Sequence, residues 1–447
     1  MASSRRDLAV RASVDQGLLS PAEPVVALLD TAGIRASATA LTSAFAAVTD
    51  APVLHAFAVK ACPLVPVLRL LHEAGLGAEV ASPGELALAR AAGIPAARTV
   101  LDSPAKTPGE LRQGLALGIA VNADNLQELA RLDALVASTP TSSPLGIRVN
   151  PQVGAGSIGA LSTATATSKF GVALRDEGAR KAVVQACLER PWLTRLHTHT
   201  GSQGVPLALM AEGVGEAYAL AEEINRTAGR QQIDTLDIGG GLPVDFHSDE
   251  ETPTYAEYAR LLADTVPGLF DGRYGLVTEF GRSLLAKHGT LLARVEYTKT
   301  SGGRPIAVTH AGVQVATRTV YAPEAWPLRV LAYDSGGRPR TGEVTVQDVA
   351  GPACFAGDLL AAGRALPLLH PGDVVAVPDT GAYFFAHHYA YNSLPRPGVH
   401  GFTVTEPGDG GGDGGGAVVA FTTVREAQTL AEIVAEAGGA HADALVR

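Results

Sequence analysis

From about residue 50 to residue 285 the chain repeats one unit: a short apolar run, an amphipathic segment, then glycine. The strand candidates are "VLHAFAV", "GAEVA", "TVLD", "IAVN", "LGIRVN", "LTRLHTH", "TLDIGG" and "GLVTEF". Between them lie segments with helical spacing, such as "GELALARAAG", "TPGELRQGLALG", "NLQELARLDAL" and "TYAEYARLLADTV". Eight such units in roughly 250 residues match the size and rhythm of a (β/α)8, TIM-like barrel. A doubly wound open sheet is the other architecture that alternating βα units allow.

After residue 285 the rhythm changes. "TLLARVEYTKT", "PIAVTHAG", "GEVTVQDVAG", "DVVAVPDTGAYF" and "GFTVTEP" alternate with period two or form apolar runs between turns. That is the texture of a β-barrel or β-sandwich domain. The expected organisation is an α/β barrel over 30–285, then a β domain over 286–447 that the N-terminal segment 1–29 joins. "PGDGGGDGGG" (407–416) reads as a flexible loop at a hairpin tip.

Composition narrows the function classes. With 35 Lys and Arg against 45 Asp and Glu the net charge is −10, which disfavours nucleic acid or an anionic membrane as partner. Three cysteines (Cys62, Cys187, Cys354) make no disulfide framework and suit a reducing compartment. The start "MASSRRDLAV" has no apolar core of a leader, and no run resembles a spanning helix. A cytoplasmic protein is expected.

Chemistry in such barrels collects at the C-terminal strand ends. Here those ends carry Lys60, Glu79, Asp102, Asn122, Arg148, His199, Gly239, Gly240 and Gly241, then Glu279, Gly281 and Arg282. Lys at a strand exit is ordinarily a solvated loop charge. Its neighbours argue otherwise. The three consecutive glycines permit close backbone approach and can form an anion-binding nest. Ser202 adds a hydroxyl and Arg282 a guanidinium suited to phosphate. Phosphate donors, a strand-exit lysine and Glu279 together suggest pyridoxal 5'-phosphate. Lys60 would carry it covalently, His199 would stack on the ring, and Glu279 would pair with the pyridine nitrogen. A Glu279–Arg282 salt bridge is the plainer reading, but residues i and i+3 of an extended chain point apart.

These residues resemble a family. "FAVKA", "EVASPGEL", "RVNP", "SKFG", "HTHTGSQ", "LDIGGG", "EFGR", "GPACFAGD" and "DTGAYFFAHHYAYNSLPRP" are similar, in order and spacing, to the alanine-racemase-fold (fold type III) pyridoxal phosphate decarboxylases. The resemblance is closest to diaminopimelate decarboxylases and more distant to ornithine decarboxylases. It implies that Ser202, Gly241, Arg282 and Tyr383 contact phosphate. It also implies that Cys354 is a proton donor reaching in from the second subunit of a homodimer with shared active sites. Arg318 matches an arginine that holds a substrate carboxylate. Without the resemblance, Cys354 would be read as a small core thiol.

Three departures bear on substrate. Phe355 stands where the diaminopimelate enzymes have Glu and the ornithine enzymes Asp. Tyr321 follows Arg318 one residue sooner than usual. Phe384, His387 and His388 stand where small residues or Met are usual. Asp358 and His387 complete the expected substrate contacts. An amino acid or derivative other than meso-diaminopimelate is therefore expected, with diaminopimelate decarboxylase proper as the alternative. An amino-acid racemase is the alternative on the same fold, but such enzymes place arginine, not Glu279, at the ring nitrogen. An inactive regulatory homologue would be expected to have lost Lys60, the phosphate contacts or Cys354. The pairs His197/His199 and His387/His388 raise the question of a metal. No cysteine or carboxylate cluster completes a ligand set, so none is expected.

Overall fold

The computed structural model describes residues 4–405 and 417–446. The glycine-rich stretch 407–416 lies outside them. The chain forms two compact units. One takes in the N-terminal residues to Gly33, Phe246–Asp249 and the chain from Leu285 onward. The other spans Ile34–Asp245 and Glu250–Leu284.

Strand β1 (Val25–Asp30) belongs to the first unit. The second holds the barrel: β2 (Val53–Ala58), β3 (Gly77–Val80), β4 (Thr99–Asp102), β5 (Ala120–Ala123), β6 (Leu145–Asn150), the two-residue β7 (Val172–Ala173), β8 (Leu193–His197), β9 (Thr235–Asp237) and β10 (Gly275–Thr278). All pair in parallel. Except for β7, which pairs only with β6, they close into one ring, with β5 against β6 and β10 against β2. The closed parallel barrel is the expected one.

The strands are near-continuous apolar runs because both faces are covered. The intervening helices start where the sequence signals them. Ser82, Thr107, Asn125 and Thr254 each accept a hydrogen bond from the amide three residues on, and Pro83 and Pro108 follow the first two caps. The helix Thr31–Ala46 precedes the barrel and buries Ile34, Ala38, Leu41 and Phe45.

The other unit is built on a nine-stranded mixed sheet. Its further strands are β11 (Gly289–Ser301), β12 (Arg304–Thr309), β13 (Leu331–Tyr333), β14 (Val344–Ala350), β15 (Leu359–Pro367), β16 (Val374–Pro378), β17 (Gly398–Thr405) and β18 (Val418–Arg425). The long β11 makes this one sheet. Its first half lies between β1 and β16, while its second half pairs with β12. β17 and β18 form an antiparallel pair, in register from His400–Thr423 to Thr405–Val418 after a shift between Val399 and His400. Helix Arg5–Asp15 sets Ala9 and Val10 into a core with Val26, Leu28, Leu292, Tyr333, Val374 and Phe402. Among the described residues no helix is long and apolar enough to cross a membrane.

Candidate active site

Within the barrel unit the polar strand exits converge. A 3-10 turn, Val59–Ala61, follows β2 and presents Lys60. Its Nζ meets the Glu79 carboxylate at β3, where Glu79 is fully buried beside Ala58. His199 follows β8, and its Nδ1 accepts from the Gly240 amide at 3.2 Å. Arg282 Nη2 donates to Ser202 Oγ at 3.1 Å. The Arg148 guanidinium lies over the Phe170 ring at 4.4 Å.

The glycines have a structural reason besides ligand approach. A side chain on Gly240 would strike the Glu279 carbonyl, and one on Gly241 the Gly201 carbonyl. Gly241 also sits at φ +96°, where other residues are strained. Their absence of side chains lets the exits of β8, β9 and β10 close together. The Glu279 amide then donates to Gly239 O at 2.7 Å, so Glu279 stands beside His199. Gly281 packs against Ala58 and Ala61, next to Lys60.

Beneath these residues is a buried acidic cluster. His197, two residues before His199, faces Asp102 at 3.2 Å through Nδ1 and Glu279 at 3.5 Å through Nε2. Asn122 Nδ2 donates to Asp102 at 3.3 Å and Asp237 at 3.4 Å. All five are nearly devoid of solvent. Burial, with the charges of Asp237 and Asp102, holds Glu279 well above the usual carboxylate range. Burial likewise pushes Asp237 up to about 6. Burial works to raise Asp102 too, but the charge and hydrogen bond of His197 outweigh it and hold that carboxyl low. Burial keeps the His199 imidazole neutral, with Arg148 and Lys60 acting in the same direction.

This cluster corrects the reason given against a metal. Asp102, His197, Asp237 and Glu279 bring ligand-type atoms within 4.8 Å of one another, a set invisible in sequence because its members are far apart in the chain. The Asn122 amide points an N–H donor into the same carboxylates, which suits shared protons better than a cation.

In the β-sheet unit Arg318 lies between two rings, 4.4 Å from Tyr383 and 5.3 Å from Trp326. Its Nη1 is buried without a hydrogen-bond partner. His387 sits 5.5 Å from the Tyr383 ring. Phe355 stacks on Tyr321 at 5.8 Å and meets the edge of Tyr391. Cys354 is exposed, and its amide donates to Asn392 Oδ1 at 2.7 Å. Asp358 differs from expectation. It is 3% exposed, and its two oxygens accept from the Val313 and Ala353 amides at 2.7 Å. Both oxygens thus hold the loop, which sets it apart from an acid turned wholly toward a substrate.

Residues 32–286 match the family described as pyridoxal-dependent decarboxylase, pyridoxal binding domain. The chain is 34% identical to the diaminopimelate decarboxylase of Pseudomonas aeruginosa over 352 residues, 78% of this chain and 81% of that one. This chain is a pyridoxal-dependent decarboxylase. The enzyme is also 31% identical to the Aquifex aeolicus diaminopimelate decarboxylase, over 77% of this chain and 79% of the relative. In structure it is similar to the diaminopimelate decarboxylase of M. jannaschii in complex with L-lysine, at TM-score 0.81 and 25% identity, covering 95% of this chain and 94% of that one. The fold is shared as well with the lysine/ornithine decarboxylase of Vibrio vulnificus complexed with putrescine, at TM-score 0.73 and 24% identity, over 90% and 99% of the two chains.

The decarboxylase is thus a carboxy-lyase that uses pyridoxal phosphate. When bound, that cofactor supplies an electron sink for the charge left as carbon dioxide departs. Sequence reading passed over Asp237 and used His197 only as a possible metal ligand. A signal was available: "HTH" and "LDIGGG" place polar residues at buried strand ends, where apolar ones are the rule.

Proposed function

We propose that this decarboxylase removes carbon dioxide from an amino acid or derivative that lacks a distal free amine and bears a second acidic or polar group. Lys60 carries the cofactor. Ser202, Gly241, Arg282 and Tyr383 hold its phosphate, His199 lies on its ring, and Glu279 pairs with the ring nitrogen. The donor set fits: an amine at a strand exit, a guanidinium–hydroxyl pair, and a buried carboxylate whose Oε1 has no hydrogen-bond partner. Cys354 returns a proton to the product carbon, from the partner subunit of a cytoplasmic homodimer. Neutral His199 suits a ring contact, since an imidazolium would draw charge from an electron-poor ring.

Phe355 carries the substrate reading. Its phenyl ring, stacked on Tyr321 and edged by Tyr391, occupies the place expected for an acid, and Asp358 is committed to backbone amides. An ammonium buried there without an acid would cost several kcal/mol. Arg318, with an unpartnered Nη1 and no acidic partner among the described residues, suits a carboxylate. The second reading is diaminopimelate decarboxylase proper, favoured by the names of relatives at 30–34% identity. A screen of amino acids for carbon dioxide release, with product mass, separates the two. Lysine, ornithine and meso-diaminopimelate are expected to be poor substrates, and Phe355→Glu to raise activity on diaminopimelate relative to the native substrate. Efficient turnover of meso-diaminopimelate by the wild-type enzyme would replace the first reading with the second.

A further inference from the structure

The buried cluster poses a charge problem that the proposed function does not resolve. Three carboxyl groups, Asp102, Asp237 and Glu279, share a solvent-free space with one imidazole. They cannot all be ionised there, because like charges at this range and depth repel strongly. Glu279 is the group that must be charged to keep a pyridine nitrogen protonated. Yet burial and its acidic neighbours Asp237, Asp102 and Glu79 favour the protonated form on that residue.

His197 is placed to settle where the proton sits. Both of its ring nitrogens face carboxylate oxygens, Asp102 on one side and Glu279 on the other. A carboxylate oxygen only accepts, so an imidazole facing two of them serves both best as the doubly protonated cation: Nδ1 hydrogen-bonds Asp102, and Nε2 faces Glu279 at 3.5 Å without a hydrogen bond. With a neutral His197 whose one proton faces Asp102, the proton would fall to the carboxyls instead, and Glu279 is the one that faces the bare Nε2. The two arrangements differ only in which of the pair holds one proton. Asp102 tips the choice by geometry: it makes the closer contact, 3.2 Å to Nδ1 against 3.5 Å from Nε2 to Glu279, and so favours a proton on the imidazole.

We infer that His197 is a positioning residue that keeps Glu279 ionised, by holding on its own ring the proton that the buried cluster would otherwise place on that carboxyl. The inference rests on the reading of Glu279 as the partner of the ring nitrogen. The charged groups around His197 are Asp102 and Lys106 from the β4 side, Asp124 beyond β5, Arg148 at the adjoining position of β6, Asp237 of β9 and Glu279 after β10. Its own strand and exit add Arg195 and His199. Asp102 and Glu279 are the two in direct contact with its ring nitrogens.

The test needs no substrate. The absorbance of bound pyridoxal phosphate is titrated against pH in the wild type, Glu279→Gln, His197→Gln and the double variant His197→Gln/Asp237→Asn. At neutral pH His197→Gln should reproduce the spectrum of Glu279→Gln, and drift to that of the wild type as rising pH strips the proton from Glu279. The double variant loses one negative charge with the positive one and should look like the wild type at neutral pH. A wild-type spectrum and profile in His197→Gln, with Glu279→Gln altered, overturns the inference. An unaltered Glu279→Gln spectrum overturns the ring-nitrogen reading instead, and the apoprotein then decides the charge balance. Carboxyls held above their unfolded values keep protons that the unfolded chain has lost, so stability falls as pH rises through that window. Between the unfolded values of glutamate and histidine, 4.5 and about 6.5, the fall should be steeper in His197→Gln than in the wild type, because the unfolded wild-type histidine still holds its proton there, and it should be restored in the double variant; equal slopes in that window overturn the inference. If His197→Gln alone does not fold, the double variant must fold with the wild-type spectrum. Its failure to fold would assign His197 to packing.

Discussion

Lys60 is the residue on which the cofactor reading turns. It is the lysine at the exit of the barrel's first strand, and its amine rests against the fully buried Glu79. Its side chain is 42% exposed, so a cofactor aldehyde can reach it. Lys106, which is buried in the barrel, is unsuited: its Nζ is bound to Glu128 at 2.8 Å and to the Ser103 and Asn122 carbonyls. Borohydride reduction of the holoenzyme should therefore fix pyridoxal phosphate on the peptide holding Lys60, and Lys60→Ala should abolish that adduct and the near-visible band. Mapping of the adduct to another lysine would refute the assignment.

Among the elements, the seam between the first and last barrel strands carries a titrating side-chain contact. β10 meets β2 over three residue pairs, Leu276–Val53, Val277–Leu54 and Thr278–His55. A side-chain hydrogen bond of 2.9 Å between His55 Nδ1 and Thr278 Oγ1 adds to it, with Phe45 edge-on to the imidazole. Burial, helped by the charge of Arg98, lowers His55 from 6.5 to about 4. A histidine depressed in the fold takes up its proton more readily when unfolded. Its contribution is therefore whole above pH 6.5 and lost as pH falls toward 4. The loss is at most about 3 kcal/mol. Denaturant midpoints measured across this range should fall with acid in the wild type and much less in His55→Gln. Parallel curves would show that the seam does not titrate.

At the scale of the whole molecule the proposal needs two chains. Cys354 is exposed and held by its amide to Asn392. If it serves the barrel of a partner, inactive Lys60→Ala and Cys354→Ala chains should complement each other. Half the dimers formed on equal mixing are hybrids, each with one intact site in two, so about a quarter of wild-type activity should return. No recovery after subunit exchange is demonstrated would refute shared sites.

Local chemistry made the barrel legible in the sequence. Strand runs buried on both faces must be continuously apolar, and helices announce their starts through Ser, Thr or Asn caps with Pro behind them. Lys60, His199, Ser202, Glu279 and Arg282 were legible for the same reason: a polar residue at the end of such a run is conspicuous. β1 and the helix Thr31–Ala46 were not singled out: "VVALLD" runs straight into the helix with no glycine or proline between them, and only the structure shows Asp30 capping it by accepting from the Ala32 and Gly33 amides at 3.1 Å. Tertiary structure alone decided two things. Asp358, an acid near the expected substrate contacts, is consumed by two backbone amides that no spacing rule reveals. Asp102, His197, Asp237 and Glu279 come from four strands and meet only because the barrel closes. Their protonation depends on mutual distance and burial, which are properties of the folded state and of no single stretch of chain.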